Sequence, residues 1–280
     1  MTKVASVEVN ELVIEAGRTE RQYWRDLWRY RELFYFLAWR DLLVRYKQTV
    51  VGVLWAFIKP ILTILVLTVA FGKFGKISSQ GVPFPLMVCC GTLPWLFFTS
   101  AISECGNSLV SSANLISKIY FPRLIIPASS VITSFVDFLI SALILLAMAV
   151  WYRFVPSGNI IFLPLFVLLT IALSLGAGLW IAALMVEYRD VRFVLPFVVQ
   201  FGLFISSVGI PSSEVHEKWR LLYSLNPMVG IIDGFRWAIL GGNFALNWIS
   251  LVLSLMVTGV LFITGLWYFR RTERTFADVI

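Results

Sequence analysis

The chain has 280 residues, of which 59% are hydrophobic and only 14% are charged. Soluble domains carry about 25% charged residues, and the charges here are clustered, so that long stretches contain almost none. A membrane-spanning helix needs about 20 mostly apolar residues, and several stretches reach that length. The composition therefore predicts an integral membrane protein and excludes an ordinary soluble domain.

Metal and disulfide chemistry are not indicated. Cys89, Cys90 and Cys105 lie in one apolar stretch and its polar end, and His216 is the only histidine. Adjacent cysteines rarely pair with each other, and no Cys/His group has the spacing of metal ligands. The cysteines are predicted to be small buried hydrophobic residues. Residues 1–32 carry charges throughout and lack the apolar core of a signal peptide.

Six apolar stretches are predicted to cross the membrane as helices. They are Val50–Phe71, Pro85–Val110, Leu124–Trp151, Ile160–Val186, Val194–Ile210 and Trp248–Phe269. The predicted organisation is a cytoplasmic N-terminal segment with an interface helix (1–49), a six-span transmembrane domain (50–269) and a cytoplasmic C-terminal tail (270–280).

The distribution of Lys and Arg predicts the orientation. With the N-terminus inside, sixteen of the 23 cations fall in inner segments, six in outer segments, and Lys59 lies within the first span. Because positive charge accumulates on the cytoplasmic side, both termini are predicted to be cytoplasmic. The net charge of +7 therefore does not require a nucleic-acid partner.

Two further segments are predicted to lie at or in the membrane. A helix from Leu33 to about Gln48 is amphipathic. Its apolar arc holds Tyr35, Phe36, Ala38, Trp39, Leu42, Leu43 and Tyr46. Its charges prevent it from spanning, so it is predicted to lie in the inner interface; a helix packed on the cytoplasmic side is the alternative. In the outer loop, Asn226-Pro227 divides an apolar stretch into halves too short to cross. A re-entrant helical hairpin is predicted there, with a surface loop as the alternative.

No motif for catalysis or nucleotide binding is found in the sequence. Neither Gly72-Lys73 nor Gly75-Lys76 is followed by the Ser or Thr of a phosphate-binding loop. Two short inner loops, Asn114–Arg123 and Glu187–Arg192, are charged and flanked by aromatic residues. Each is either a contact point for a cytoplasmic partner or an ordinary positive-inside anchor.

Several segments in chain order resemble the permease subunit of type-2 ABC exporters, and above all the O-antigen permeases of the polysaccharide branch. They are S-A-N-L-I-S-K-I-Y-F-P-R-L-I-I-P (Ser112–Pro127), Y-R-D-V-R-F-V-L-P (Tyr188–Pro196), L-N-P-M-V-G-I-I-D-G-F-R-W (Leu225–Trp237), R-D-L-L-V-R-Y-K-Q (Arg40–Gln48) and L-P-W-L-F-F (Leu93–Phe98). The resemblance covers residues 32–272. Lys59 departs from it, because the family usually has a neutral polar residue there.

The resemblance implies an all-α subunit of six spans that forms a homodimer in the bacterial cytoplasmic (inner) membrane. It implies two copies of a separate ATPase subunit, which would hold ATP and Mg, whereas this chain would need no cofactor. The dimer would enclose a channel for a polysaccharide linked to undecaprenyl pyrophosphate. The inner loops would dock on the ATPases. The contact residues would be Asn114, Lys118, Tyr120, Phe121, Arg123, Glu187, Tyr188, Arg189, Asp190 and Arg192.

The side chains of such a path can be anticipated from chemistry. Aromatic rings stack on sugars, which nominates Trp55, Trp95, Phe98, Phe197, Phe201 and Phe204 as channel lining, with ordinary packing as the alternative for each. Positive charge at the substrate entrance would meet the pyrophosphate, which nominates Arg40, Arg45, Lys47 and Lys59; attraction to anionic lipid is the alternative. Three charges lie within spans, namely Lys59, Glu104 and Asp137. Since buried charges pair or face water, Lys59 is expected to pair with Glu104 or Asp137.

Three rival functions are weighed against this reading. An exporter of capsule or teichoic-acid polymer differs only in its substrate. A membrane-embedded glycosyl- or acyltransferase would need a constellation of acids or histidines at a water boundary, which the scattered acids and the single His216 do not form. A secondary transporter would have paired, interrupted spans in its two halves; Pro60 and Pro196 suggest this, but the halves do not otherwise match.

Overall fold

The computed structural model describes residues 20–47, 52–75, 77–242 and 244–276, and all regular structure in these ranges is helical. The N-terminal half contains α1 (Glu20–Arg29), α2 (Arg31–Lys47), α3 (Gly52–Leu67), α4 (Phe84–Ser111), α5 (Ala113–Ile116) and α6 (Ile125–Trp151). The C-terminal half contains α7 (Leu163–Glu187), α8 (Val191–Ile205), α9 (Glu217–Ser224), α10 (Pro227–Leu240) and α11 (Trp248–Thr272). The end of α3 widens into a π-helix (Thr68–Phe74), and a 3₁₀ turn (Gly158–Phe162) precedes α7.

Five helical segments are long and apolar enough to span a membrane. They are Val53–Phe74, Phe84–Ser111, Ile125–Trp151, Gly158–Glu187 and Trp248–Thr272. They agree with five of the six predicted spans, although the predicted start at Val50 lies outside the described residues.

The sixth predicted span, Val194–Ile210, is not confirmed as a full crossing. Its helix, α8, has 15 residues, a length of about 22 Å against about 30 Å of hydrocarbon. The helix stops because Ser206 adopts an extended conformation. The following residues to Pro211 are mostly buried and non-helical.

Helix α4 is the centre of the fold. In its most apolar window 72% of the residues are buried, whereas the figure for α3 is 17%. Small residues allow close packing around it: a Cβ atom on Gly178 of α7 would lie 2.6 Å from Sγ of Cys105 on α4. Helices α7 and α11 approach equally closely, because a Cβ atom on Gly176 would lie 2.6 Å from the Cα atom of Phe262. The peripheral α3 is therefore held by far less packing than α4.

Helix α2 is ordered as predicted, but its packing face differs from the predicted apolar arc. Leu37 and Ala38 are buried, and Leu37 belongs to a core cluster that contains Ile125 at the start of α6. Eight residues further along, Arg45 contacts Asp137 of α6. Helix α2 therefore runs beside the first half of α6, and Tyr35 and Trp39 of the predicted arc stack on each other at its exposed side.

Two short helices, α9 and α10, replace a plain loop between α8 and α11. Helix α9 ends at Ser224, and Asn226 caps the start of α10, because its side chain accepts a hydrogen bond from the Met228 backbone N–H. Almost every residue of α10 is buried against α4, α7 and α11. The break at Asn226-Pro227 is thus where the sequence predicts it, while the depth of the pair in a membrane stays a prediction.

Candidate functional site: a charged cavity beside the first long helices

A cavity of about 440 Å³ lies between α2, α3, α4 and α6. We call it the charged cavity. Its lining consists of Arg45, Tyr46, Trp55, Ala56, Lys59, Pro60, Leu96, Phe97, Ser100, Glu104, Asp137, Phe138 and Ser141. All three charges that the sequence places within spans therefore meet in one space. Ionisable residues within membrane-spanning helices commonly mark the path of a substrate or ion, so this cavity is a candidate functional site.

Arg45 joins two of these helices to α2. Its Nη2 atom donates to Oε1 of Glu104 on α4 at 2.5 Å, and its Nη1 atom donates to Oδ2 of Asp137 on α6. The hydroxyl of Tyr46 donates to the other Asp137 oxygen. The side chains of Glu104 and Asp137 are 48% and 28% exposed, so the carboxylates also face the cavity.

The expected pairing of Lys59 with Glu104 or Asp137 is not observed. Lys59 lines the cavity, but within the described residues no carboxylate oxygen lies within 4.0 Å of its ammonium group. Arg45 takes both acids instead. The planar guanidinium offers several N–H donors in a fork that reaches two carboxylates at once, whereas an ammonium is a single point charge. The two acids are those predicted from the sequence, but the cation that pairs with them is Arg45 and not Lys59.

The other cations predicted at a substrate entrance lie outside the cavity. Arg40 pairs with its neighbour Asp41, with 2.8 Å between Nη2 and Oδ1, on an exposed part of α2. Lys47 is exposed at the end of α2. Only Arg45 and Lys59 of the predicted four reach the charged cavity.

Four of the six aromatic residues predicted to line a channel are exposed, and they lie in two places. Trp55 lines the charged cavity and is 60% exposed. Phe197, Phe201 and Phe204 are exposed on one face of α8, and the rings of the first two are 4.9 Å apart.

Trp95 is the exception among the nominated residues. It is only 4% exposed, and a Cβ atom on Gly202 of α8 would lie 2.7 Å from its ring. It packs α8 onto α4 rather than facing an open surface. Phe98 is half-buried beside it, with 5.8 Å between the ring centroids.

The first inner loop has an exposed tip and an anchored base. Asn114, Lys118 and Tyr120 are exposed, whereas Phe121 is buried. The backbone N–H of Arg123 donates to Oε1 of Glu273 at 2.9 Å, and its guanidinium donates to the Glu273 carbonyl oxygen.

The same carboxylate reaches the N-terminal helix. The hydroxyl of Tyr23 on α1 donates to Oε2 of Glu273 at 3.1 Å. We call Tyr23, Arg123 and Glu273 the inner junction. Burial raises the pKa of the Glu273 carboxyl, and burial together with the Glu273 charge raises the pKa of the Tyr23 phenol.

The second inner loop lies at the same end of the molecule. Glu187, Tyr188, Arg189, Asp190 and Arg192 are all exposed. The Tyr268 hydroxyl on α11 donates to Oε2 of Glu187 at 3.4 Å, which places this loop beside the C-terminal end of α11. The structure therefore brings α1, both inner loops and the C-terminal segment to one end of the helical bundle, while the assignment of this end to the cytoplasm stays a prediction.

One buried polar network escaped the sequence argument. Arg236 on α10, counted as an outer-loop charge, is only 1% exposed. Its Nη1 atom lies 3.7 Å from Oδ1 of Asp233 and 2.9 Å from the Ser207 hydroxyl, and its Nη2 atom donates to the Val208 carbonyl at 2.6 Å. The spacing of Asp233 and Arg236, three residues apart on one face of an otherwise apolar helix, was the available signal.

Comparison with known proteins assigns the family. Residues 32–240 match the family model described as ABC-2 type transporter. The chain is 28% identical to an O-antigen export system permease protein RfbA of Myxococcus xanthus over 76% of this chain and 82% of the relative. It is 25% identical to an RfbA of Klebsiella pneumoniae (89% and 95%) and 26% identical to the polysialic acid transport protein KpsM of Escherichia coli (84% and 91%). Because the family model covers most of the chain, this protein belongs to the ABC-2 type transporter family.

Proposed function

We propose that this chain is the channel-forming permease of an ATP-driven exporter that moves a lipid-linked polysaccharide of the O-antigen type across the cytoplasmic membrane. The names of the RfbA relatives support the substrate class. The charged cavity is the observation that carries the proposal, because it places carboxylates, hydroxyls and Trp55 beside one another on long apolar helices. Carboxylates and hydroxyls hydrogen-bond to sugar hydroxyls, and an aromatic ring offers a face for stacking.

The assembly follows from the surfaces that the chain leaves open. Two copies would meet over the sparsely packed α3 and the exposed phenylalanines of α8, and together they would enclose the path. The exposed tips of both inner loops would contact two separate ATPase subunits. Those subunits would hold ATP and Mg, since the sequence of this chain has no phosphate-binding loop. In this arrangement α9 and α10 re-enter the membrane from outside, and α8 completes the set of six membrane-embedded segments.

A deletion and complementation experiment tests the proposal. Removing the gene should eliminate the long polysaccharide from the cell surface and leave its lipid-linked form inside, and the full-length chain should restore export. Affinity purification of the tagged chain should recover an ATPase subunit. Normal surface polysaccharide in the deletion strain would refute the proposal, as would transport or ATP hydrolysis by this chain alone.

Coupling to the ATPase can be tested at the second inner loop. Replacing both Arg189 and Asp190 by Ala removes two exposed charges from a short loop, so the permease should insert normally while the ATPase loses substrate-stimulated hydrolysis. Lys218→Ala, an exposed change in the first turn of α9, is the control. Unaltered hydrolysis and export in the double variant would remove this loop from the docking surface.

Capsule polymer is a second candidate substrate, because the chain also matches polysialic acid transport proteins over 84% of its length. The deletion experiment separates the two candidates by which polymer disappears from the surface. A glycosyl- or acyltransferase is not favoured, since the chain belongs to a transporter family.

A further inference from the structure

A second, apolar cavity lies along α3 and α6, two of the helices that line the charged cavity. It measures about 680 Å³ and lies between α3, α6 and the start of α4. We call it the apolar groove. It is lined by Phe57, Ile61, Ile64, Leu65, Thr68, Val69, Pro85, Leu143, Ile144, Ala147, Met148 and Trp151. Thr68 is the only polar residue of this set.

The two cavities adjoin on α3 and on α6. On α3 the apolar groove begins at Phe57, within the stretch that lines the charged cavity, and continues beyond Pro60 to Val69; on α6 the charged cavity ends at Ser141 and the groove begins at Leu143. From Leu143 to Trp151 the groove extends about 12 Å along α6, at 1.5 Å per residue. A charged end joined to an apolar trough has the shape of an amphiphile with a polar head and a long hydrocarbon tail.

Lys59 is the cation at this boundary. The charged cavity holds two cations and two acids, and Arg45 bridges both acids. An ammonium inside a span costs at least about 2.5 kcal/mol by insertion scales unless an anion or water compensates it. A phosphate group beside Lys59 would supply that anion.

We propose that the apolar groove holds the hydrocarbon tail of a phosphate-bearing isoprenoid lipid carrier while the carrier's phosphate lies at Lys59. This inference rests on the proposed function and adds where the lipid lies. Bulk phospholipid does not fit the arrangement. Asp137, beside the head position, is about 18 Å from the start of α6 and about 21 Å from its end, whereas the heads of bulk lipids stay at the membrane surfaces. A lipid whose head is drawn to mid-depth, with its tail along the far half of α6, is one in transit through the protein.

The groove aligns the carrier rather than supplying the main attraction. Hydrocarbon gains little free energy by leaving lipid for an apolar protein surface, so the selectivity must come from the head. The tail in the groove fixes the direction in which the head and its glycan point, which is toward Trp55 and the charged cavity.

Photocrosslinking of the full-length chain in nanodiscs tests the occupant. A benzophenone amino acid replaces Ala147, which lines the groove, or the preceding residue Leu146, which is exposed and does not line the groove. Radiolabelled undecaprenyl phosphate is the probe, and phosphatidylglycerol is the competitor. We expect labelling at position 147 to exceed labelling at position 146 at least about fivefold and to resist phosphatidylglycerol. Equal labelling, competition by phosphatidylglycerol, or a crosslink between two copies of the chain through position 147 would each overturn the proposal.

The head contact is tested in the same assay. Lys59→Gln should weaken probe labelling at position 147 about tenfold, as expected for the loss of a charge-assisted contact, and Lys59→Arg should retain it. Labelling that ignores the charge at position 59 would overturn the assignment of the head. Neither measurement needs ATP, glycan or the ATPase, so this inference can fail while the deletion experiment still supports polysaccharide export.

Discussion

Replacing Arg236 by Met tests whether the buried network on α10 holds the outer part of the fold. The change leaves the Asp233 carboxylate, 8% exposed, without its cation and removes the donor to the Val208 carbonyl. Breaking a buried ion pair from one side destabilises a protein by about 3–5 kcal/mol. At about 2–4 °C per kcal/mol for a chain of this size class, the unfolding midpoint should fall by about 6–20 °C.

The three cysteines provide the assay. Cys89, Cys90 and Cys105 are fully buried in α4, so a thiol-reactive dye becomes fluorescent only as the detergent-solubilised protein unfolds. Lys218→Met, an exposed change, is the control and should leave the midpoint within about 1 °C, as surface changes usually contribute little.

A second change separates lost charge pairing from lost packing. Adding Asp233→Asn to the Arg236→Met variant removes the stranded charge while an amide oxygen still accepts from the Ser207 hydroxyl. At least half of the lost stability should return. A midpoint within about 2 °C of the parent for Arg236→Met, or no recovery in the double variant, would refute the reasoning.

Three further predictions follow from the other charges. In a cysteine-free background, a membrane-impermeant maleimide added to intact cells should label Lys218→Cys and spare Lys118→Cys; the reverse pattern would invert the topology. Arg45→Gln should reduce export far more than Arg40→Gln, since Arg45 bridges two carboxylates on two other helices whereas Arg40 pairs with its sequence neighbour Asp41; equal loss of export would contradict the bridging role of Arg45. Because burial raises the folded-state pKa of Glu273, its contribution to stability is present at low pH and is lost as the pH rises through that pKa. The unfolding midpoint of Glu273→Gln relative to the parent should therefore be higher at pH 8 than at pH 5, and a pH-independent difference would contradict this.

Periodicity and length were sufficient for the long helices. Runs of 20 or more apolar residues leave few alternatives to a spanning helix, and five of the six predicted spans have helices at the predicted positions. The residue at which α8 ends could not be predicted from periodicity and length. Ser206–Gly209 has a composition compatible with a helix, but Arg236, about 30 residues away, takes the Val208 carbonyl as its hydrogen-bond acceptor. The hydrophobic pattern of the sequence does not indicate such a contact between residues that are far apart in the chain.

The sequence predicted which charged residues lie within the membrane-spanning helices, but it did not predict how they pair. The sequence placed Lys59, Glu104 and Asp137 within predicted spans, and all three line one cavity. The partner of the acids was missed because Arg45 was assigned to the solvent side of a helix lying flat in the interface. The path of α2 beside α6 depends on the packing of Leu37 and Ala38, which helical periodicity alone does not distinguish from contact with lipid.

The close approach of α7 and α11 has a mechanical consequence. Where Gly176 meets the backbone at Phe262, no side chain stands between the helices to absorb a displacement, and the ring of Trp180 lies on that of Tyr268 with centroids 4.3 Å apart. The two helices are therefore expected to move together as one rigid unit. The second inner loop lies at one end of this unit, and the chain that follows α11 carries Glu273, which anchors the first inner loop. In the proposed assembly, a force applied to either inner loop would therefore be transmitted to the other.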